Sequence, residues 1–153
     1  GLIECLLVFC IMSLMVMCGG SAWQASVATR DVEYASQLLS QYLFQLRMAA
    51  VFHRETRCLC RVESNHRCQE SWQKGKLAMF SQSDQNYPNF KIHKTFYWPS
   101  SVSLAWHSNL GHNQSLCFLS QGSTNGQMGY FTLSKLSHVR NIHVNMGGEM
   151  WSS

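Results

Sequence analysis

The side chains best suited to chemistry lie in one short segment rich in cysteine. Cys58, Cys60, His66 and Cys68 fall within eleven residues and are all possible zinc ligands. Their spacing, C-x-C-x5-H-x-C, is not a common zinc pattern. Four cysteines, these three and Cys117, lie in the polar part of the chain, and that number also suits one or two disulfides in an oxidising compartment. Both interpretations stay open at this level.

No catalytic pattern accompanies this cluster. Seven histidines are scattered along the chain, and Asp31 and Asp84 are its only aspartates. Neither Gly-x-Ser-x-Gly nor His-Glu-x-x-His occurs, and there is no phosphate- or dinucleotide-binding glycine loop. We therefore predict no catalytic residue and no cofactor, and a protein that is not an enzyme. A single-pass membrane enzyme is the least favoured class.

The first element that positions these residues is a long apolar segment. Residues 5–29 contain no Lys, Arg, Asp or Glu, and this exceeds the ~20 residues that cross a bilayer as a helix. Glu4 stands at the edge of the segment, where a carboxylate is costly unless it is paired or functional. The alternative is an interfacial residue beside a lipid headgroup. Gly19 and Gly20 interrupt the run, either as a soft bend or as a site of close helix packing.

Beyond this segment the pattern changes twice. Apolar residues at three- and four-residue intervals predict an amphipathic helix over 30–53. Short apolar runs with turn signals then predict antiparallel strands near 57–63, 72–80, 90–98, 102–106, 116–119, 128–133 and 142–146. Residues 123–126 predict a hairpin turn. The expected fold class is α+β, with Trp72, Trp98, Trp106 and Trp151 as core or strand residues.

The opening Gly-Leu-Ile-Glu-Cys-Leu-Leu resembles the start of a mature type IV pilin or pseudopilin, whose usual pattern is Phe-Thr-Leu-Ile-Glu-Leu. Further along, residues 46–50, the pair Cys60 and Cys68, then Trp72, Gly75 and Phe80, resemble in order the motifs of the GspH/FimT group of pseudopilins. The runs 118–122 and 129–133 resemble that group's later strand pair. By this alignment the chain begins one residue late, so the methylated first residue and the leader peptide fall outside the sequence.

The resemblance implies a pilin fold, in which a long N-terminal helix packs on an antiparallel sheet. It implies a transmembrane half-helix over 1–29 and a periplasmic head over 30–153, which includes the amphipathic half-helix 30–53. Glu4 would neutralise the N-terminal amine of a neighbouring subunit and so set the assembly register. The expected role is a minor pilin that initiates or caps a type IV pilus, and the alternative is a pseudopilin of type II secretion.

The same resemblance implies partners and a location. The partners are other pilins or pseudopilins through the N-terminal helix, inner-membrane lipid, the prepilin peptidase and the assembly platform. The subunit would cross the inner membrane once, with its head in the periplasm, and would later join a filament. A periplasmic head favours disulfides over zinc, so we expect a Cys60–Cys68 disulfide, a second disulfide between Cys58 and Cys117, and no metal.

DNA binding is a less favoured possibility. Some members of the FimT branch are thought to bind DNA during natural transformation, through a Gly-Arg-x-Arg pattern near the C-terminus. The matching place here is Gly147-Gly148-Glu149-Met150, without either arginine. The net charge is only +4, but a basic edge remains conceivable from six residues: Arg54, Arg57, Arg61, Arg67, Lys74 and Lys76.

Overall fold

The computed structural model describes residues 1–64, 67–82, 91–111 and 114–153. His66 and Asp84 therefore lie outside the described residues. Within these described ranges, one helix is followed by eight strands: α1 (Leu2–His53), β1 (Arg57–Val62), β2 (Lys76–Ser81), β3 (Ile92–Phe96), β4 (Ser103–Ser108), β5 (Ser115–Phe118), β6 (Gly129–Lys135), β7 (His138–Val144) and β8 (Met150–Ser152).

Helix α1 is continuous for 52 residues, about 78 Å at 1.5 Å per residue, and runs through Gly19 and Gly20 without a break. Residues 2–26 of the helix are all exposed. By length and composition this helix can cross a membrane, although a signal sequence passes the same test. Beyond residue 27 one face is buried at helical spacing, which confirms the amphipathic pattern: Ala28, Val32, Ala35, Ser36, Leu39, Leu43, Leu46 and Ala50.

The head contains two four-stranded antiparallel sheets. The first has the order β3-β2-β1-β5 and the second the order β4-β6-β7-β8. Because side chains alternate along a strand, one face of each sheet can meet the helix. Leu59 and Leu116 from the first sheet, and Phe131, Leu133 and Ile142 from the second, are at most 1% exposed and pack with the buried face of α1 in one core.

The opposite face of the first sheet has its own small core. Cys58, Cys60 and Val62 of β1 alternate with the residues that face the helix, and they pack with Phe80 and Cys117. All five are at most 8% exposed. The cysteines therefore belong to a layer separate from the helix-facing core.

Two sequence predictions need correction. The turn at 123–126 is no hairpin, because β5 and β6 on either side of it lie in different sheets. The tight hairpin instead joins β6 to β7, where Lys135 pairs with His138 and Leu136 has φ 54°. The last predicted strand ends at Val144 rather than 146, since the amide of Gly148 donates to the carbonyl of Asn145 and turns the chain into β8.

Trp151 is a strand residue, as predicted, but it does not belong to the core. Trp72, Trp98 and Trp106 are buried, as expected. Trp151 lies on the outer face of β8, is 51% exposed, and stacks on His143 with ring centroids 5.4 Å apart. A three-residue strand has too few positions for alternation to reveal which face a residue occupies.

Candidate functional site

Glu4 is in the first turn of α1. Its Oε2 atom lies 2.6 Å from the amine nitrogen of Gly1, and its side chain is 87% exposed. A carboxylate at this end of a helix also interacts favourably with the helix dipole. The carboxylate is therefore accessible in the first turn of the helix.

The surface behind Glu4 is apolar on every side. Leu2, Ile3, Phe9 and Met17 are each at least 74% exposed, and no residue of the first 26 is buried against the head. A contiguous apolar surface of this extent marks a protein or membrane contact. Lipid or other apolar helices can cover it, and both remove side chains from water in the same way.

The helix joins the head through a polar junction at the end of the apolar segment. Asp31 forms an ion pair with Lys135, and Glu33 forms one with Arg140 at 2.8 Å. The hydroxyl of Thr29 lies 3.1 Å from the ring nitrogens of His138. All three contacts join α1 to the β6–β7 hairpin. Sequence reasoning missed this junction, although acids at positions 31 and 33 directly after the apolar run were a visible signal.

A second junction holds the far end of the helix. Gly148 adopts φ +82°, and a Cβ atom there would lie 2.1 Å from the carbonyl oxygen of Gly122 and 3.3 Å from Nε of Arg47. A Cβ atom on Gly122 would itself lie 3.2 Å from the Arg47 and Val51 side chains. Two loops thus pack closely on the helix where only glycine fits.

The structure brings together both predicted cysteine pairs. Cys60 is bonded to Cys68, and Cys58 is bonded to Cys117, its direct partner in the β1–β5 register. These bonds engage three of the four residues considered as zinc ligands. The fourth, His66, is outside the described residues. In the described ranges, no group of three His, Cys, Asp or Glu side chains could hold a metal ion.

The six basic residues do not form one surface edge. Arg54, Arg67, Lys74 and Lys76 are exposed, but Arg57 and Arg61 are each only 5% exposed. Arg57 pairs with Glu55 at 2.5 Å. Both arginines occupy the same side of β1 as the core residue Leu59, so strand alternation turns them away from solvent.

At the C-terminal loop the exposed carboxylate of Glu149 accepts a hydrogen bond from the side-chain amide of Asn145 at 3.0 Å. The place where the FimT pattern has arginines thus carries a negative charge, which repels phosphate.

No protein-family model matches this sequence, and a search of curated proteins gave no match. Among solved structures, two crystal forms of the type IV minor pilin FimU of Pseudomonas aeruginosa are similar. One has a TM-score of 0.58 at 15% identity, over 81% of this chain and 89% of FimU. The other has a TM-score of 0.54 at 16% identity, over 79% and 91%. The long helix, the two antiparallel sheets and these likenesses together show that this chain has the fold of a type IV minor pilin.

Proposed function

We propose that this protein is a minor pilin, a structural subunit that helps to initiate or cap a type IV pilus. The observation that carries the proposal is α1: residues 2–26 of this helix are all exposed, and the helix is attached to a head of pilin fold. Its apolar surface needs lipid before assembly and neighbouring helices afterwards. The prepilin peptidase and the assembly platform are the expected processing and assembly partners.

In this proposal the apolar half-helix over 1–29 spans the inner membrane once, and the head over 30–153 lies in the periplasm. During assembly Glu4 forms an ion pair with the N-terminal amine of a neighbouring subunit. An ion pair removed from water loses about 3–5 kcal/mol when one partner is deleted. That loss corresponds to a roughly hundredfold or larger drop in the association constant.

The test is incorporation of Glu4→Ala into sheared filaments, measured by quantitative immunoblot against the membrane-resident pool. We expect at least a tenfold loss of incorporation, since the alanine leaves an amine unpaired in low dielectric. Glu70→Ala, which removes an exposed carboxylate of the head, is the matched control and should incorporate normally. Incorporation of Glu4→Ala at the wild-type level would show that Glu4 does not set the register.

A pseudopilin of type II secretion is the second candidate, because the Gly-Gly-Glu-Met ending is closer to that branch. Deleting the gene separates the two: loss of surface pili supports the pilus, and loss of secreted proteins with pili intact supports secretion. DNA uptake is disfavoured, since the basic edge loses Arg57 and Arg61 to burial and Glu149 is acidic.

A further inference from the structure

The tip of the β6–β7 hairpin combines two unfavourable features. Leu136 has φ 54°, a left-handed conformation that costs a residue other than glycine roughly 1–2 kcal/mol. Its side chain is also 72% exposed. A leucine is the wrong residue for such a turn in water, where Gly or Asn would relieve the backbone. Backbone strain combined with exposed apolar surface points to a contact outside the head.

The contacts of the hairpin with α1 show which way its tip points. Arg140 pairs with Glu33, and two residues closer to the tip His138 meets Thr29. Moving along β7 toward the tip therefore moves along α1 toward its N-terminus. Leu136 lies beyond His138 in the same direction, toward the apolar half-helix.

If residues 1–29 span the membrane as proposed, distances along the helix can be compared with the thickness of the bilayer. Glu4 and Trp23 are 19 residues apart, about 28 Å along the axis, which matches the ~30 Å hydrocarbon core. Trp23 is 71% exposed, and tryptophan favours the interface. Thr29 lies about 9 Å further on, at the outer edge of a headgroup layer ~5–8 Å thick. The hairpin tip therefore lies at headgroup level.

Charge at this level favours an anionic surface. Cations outnumber carboxylates here by three to two. The cations are the exposed Arg30 and the two junction residues Lys135 and Arg140, and the carboxylates are those of Asp31 and Glu33. Basic residues next to a membrane helix are attracted to anionic lipid.

From these observations we propose that the β6–β7 hairpin is a membrane-contact tip, in which Leu136 inserts among the lipid headgroups while the subunit resides in the bilayer. With the junction to α1, this contact holds the head at one orientation to the membrane before assembly. The inference rests on the proposed membrane placement of residues 1–29.

The experiment places a photo-crosslinking phenylalanine analogue singly at Leu136, Trp23 or Phe52. The full chain is reconstituted in vesicles of phosphatidylethanolamine and phosphatidylglycerol. All three positions are strongly exposed, at 72%, 71% and 82%. Phe52 lies 23 residues beyond Thr29, about 34 Å away along α1, and reports background. Lipid adducts are counted by mass spectrometry.

We expect an adduct yield at 136 within about threefold of that at 23 and at least tenfold above that at 52. Labelling at 23 with only background at 136 would overturn the hairpin contact and leave the membrane helix intact. Adducts at 136 to protein rather than lipid would also overturn it. If position 23 gave no lipid adduct, the membrane placement of the helix would be wrong, and the proposed function with it.

A glycine variant tests the strained backbone separately. Leu136→Gly should keep or raise the unfolding temperature of the full chain in detergent, because it relieves the positive φ. With the photo-reactive group moved to neighbouring Ser137, the lipid yield should fall at least threefold relative to the chain that retains Leu136. An unchanged yield would show that Leu136 is not the inserting side chain.

Discussion

Arg61 allows a quantitative test of how the head is held together. Its guanidinium donates from Nε to the carbonyl of Trp72 at 2.7 Å and from Nη1 to the carbonyl of Gly75 at 2.6 Å. It also lies 5.9 Å from the ring centroid of Trp98. Burial lowers the pKa of Arg61 to about 10, so the group is still charged at neutral pH. One side chain thus fastens the 67–75 segment to β1 and to the loop after β3.

Replacing Arg61 with methionine keeps most of the apolar stem and removes both donors. Each hydrogen bond from a charged donor contributes about 1.5–3 kcal/mol, and both carbonyls lose their bond to Arg61. Relief of the buried charge offsets part of this, so we expect a net loss of about 3 kcal/mol. That is a large fraction of the 5–15 kcal/mol of a typical domain.

The assay is urea unfolding of the full chain in a mild detergent, followed by tryptophan fluorescence, which Trp72 and Trp98 make sensitive to this region. With a slope of about 1–3 kcal/mol per molar urea, the midpoint should fall by 1 M or more. Arg61→Lys should be intermediate, since an ammonium lacks the planar fork. Lys74→Met, on an exposed lysine, should stay within about 0.5 kcal/mol. A midpoint for Arg61→Met equal to that of Lys74→Met would refute this account of Arg61.

Three further predictions concern the head. Gly148→Ala should destabilise it by about 3 kcal/mol or more in the same urea assay, because the new methyl meets a carbonyl oxygen at 2.1 Å. Burial, and then the charge of Arg57, lowers the pKa of His93 in the folded chain. At a pH below the ordinary histidine pKa, near 6.5, the unfolded chain therefore binds more protons than the folded chain. Stability should therefore fall as the pH drops from 7 to 5, and His93→Gln should flatten that slope. Removing the Cys58–Cys117 bond, which closes 59 residues, should cost about 4 kcal/mol, against about 2.5 kcal/mol for the Cys60–Cys68 bond, which closes 8.

Each of these has a control that can contradict it. Gly126→Ala has a similar φ of +73° but open space around its Cβ, so it isolates the backbone cost, about 1–2 kcal/mol. Equal losses in Gly126→Ala and Gly148→Ala would mean that the close loop contact is unimportant. A slope unchanged by His93→Gln would assign the pH dependence to other groups. Free thiols at Cys58 and Cys117 in non-reducing mass mapping of membrane-extracted protein would exclude that bond.

The sequence by itself determined the features that depend on local order. A charge-free run after Glu4, followed by apolar residues at helical spacing, is enough to predict one long helix with two different environments. Short apolar runs between turn signals likewise placed seven of the eight described strands, and some of these runs alternate because side-chain direction in a strand has a period of two. These properties depend on residues that are close in the sequence, so they can be predicted without knowing any contact with a distant part of the chain.

Only the tertiary structure decided which segments meet. Arg61 counts as a surface base by residue type, yet it is buried because two distant carbonyls and an indole ring surround it. The tertiary structure also divides the strands into two sheets. The ion pairs of Asp31 and Glu33 with the β6–β7 hairpin join residues about a hundred positions apart. Such contacts depend on how the elements fold back on one another. The spacing of residues along the chain does not show which distant segments will meet.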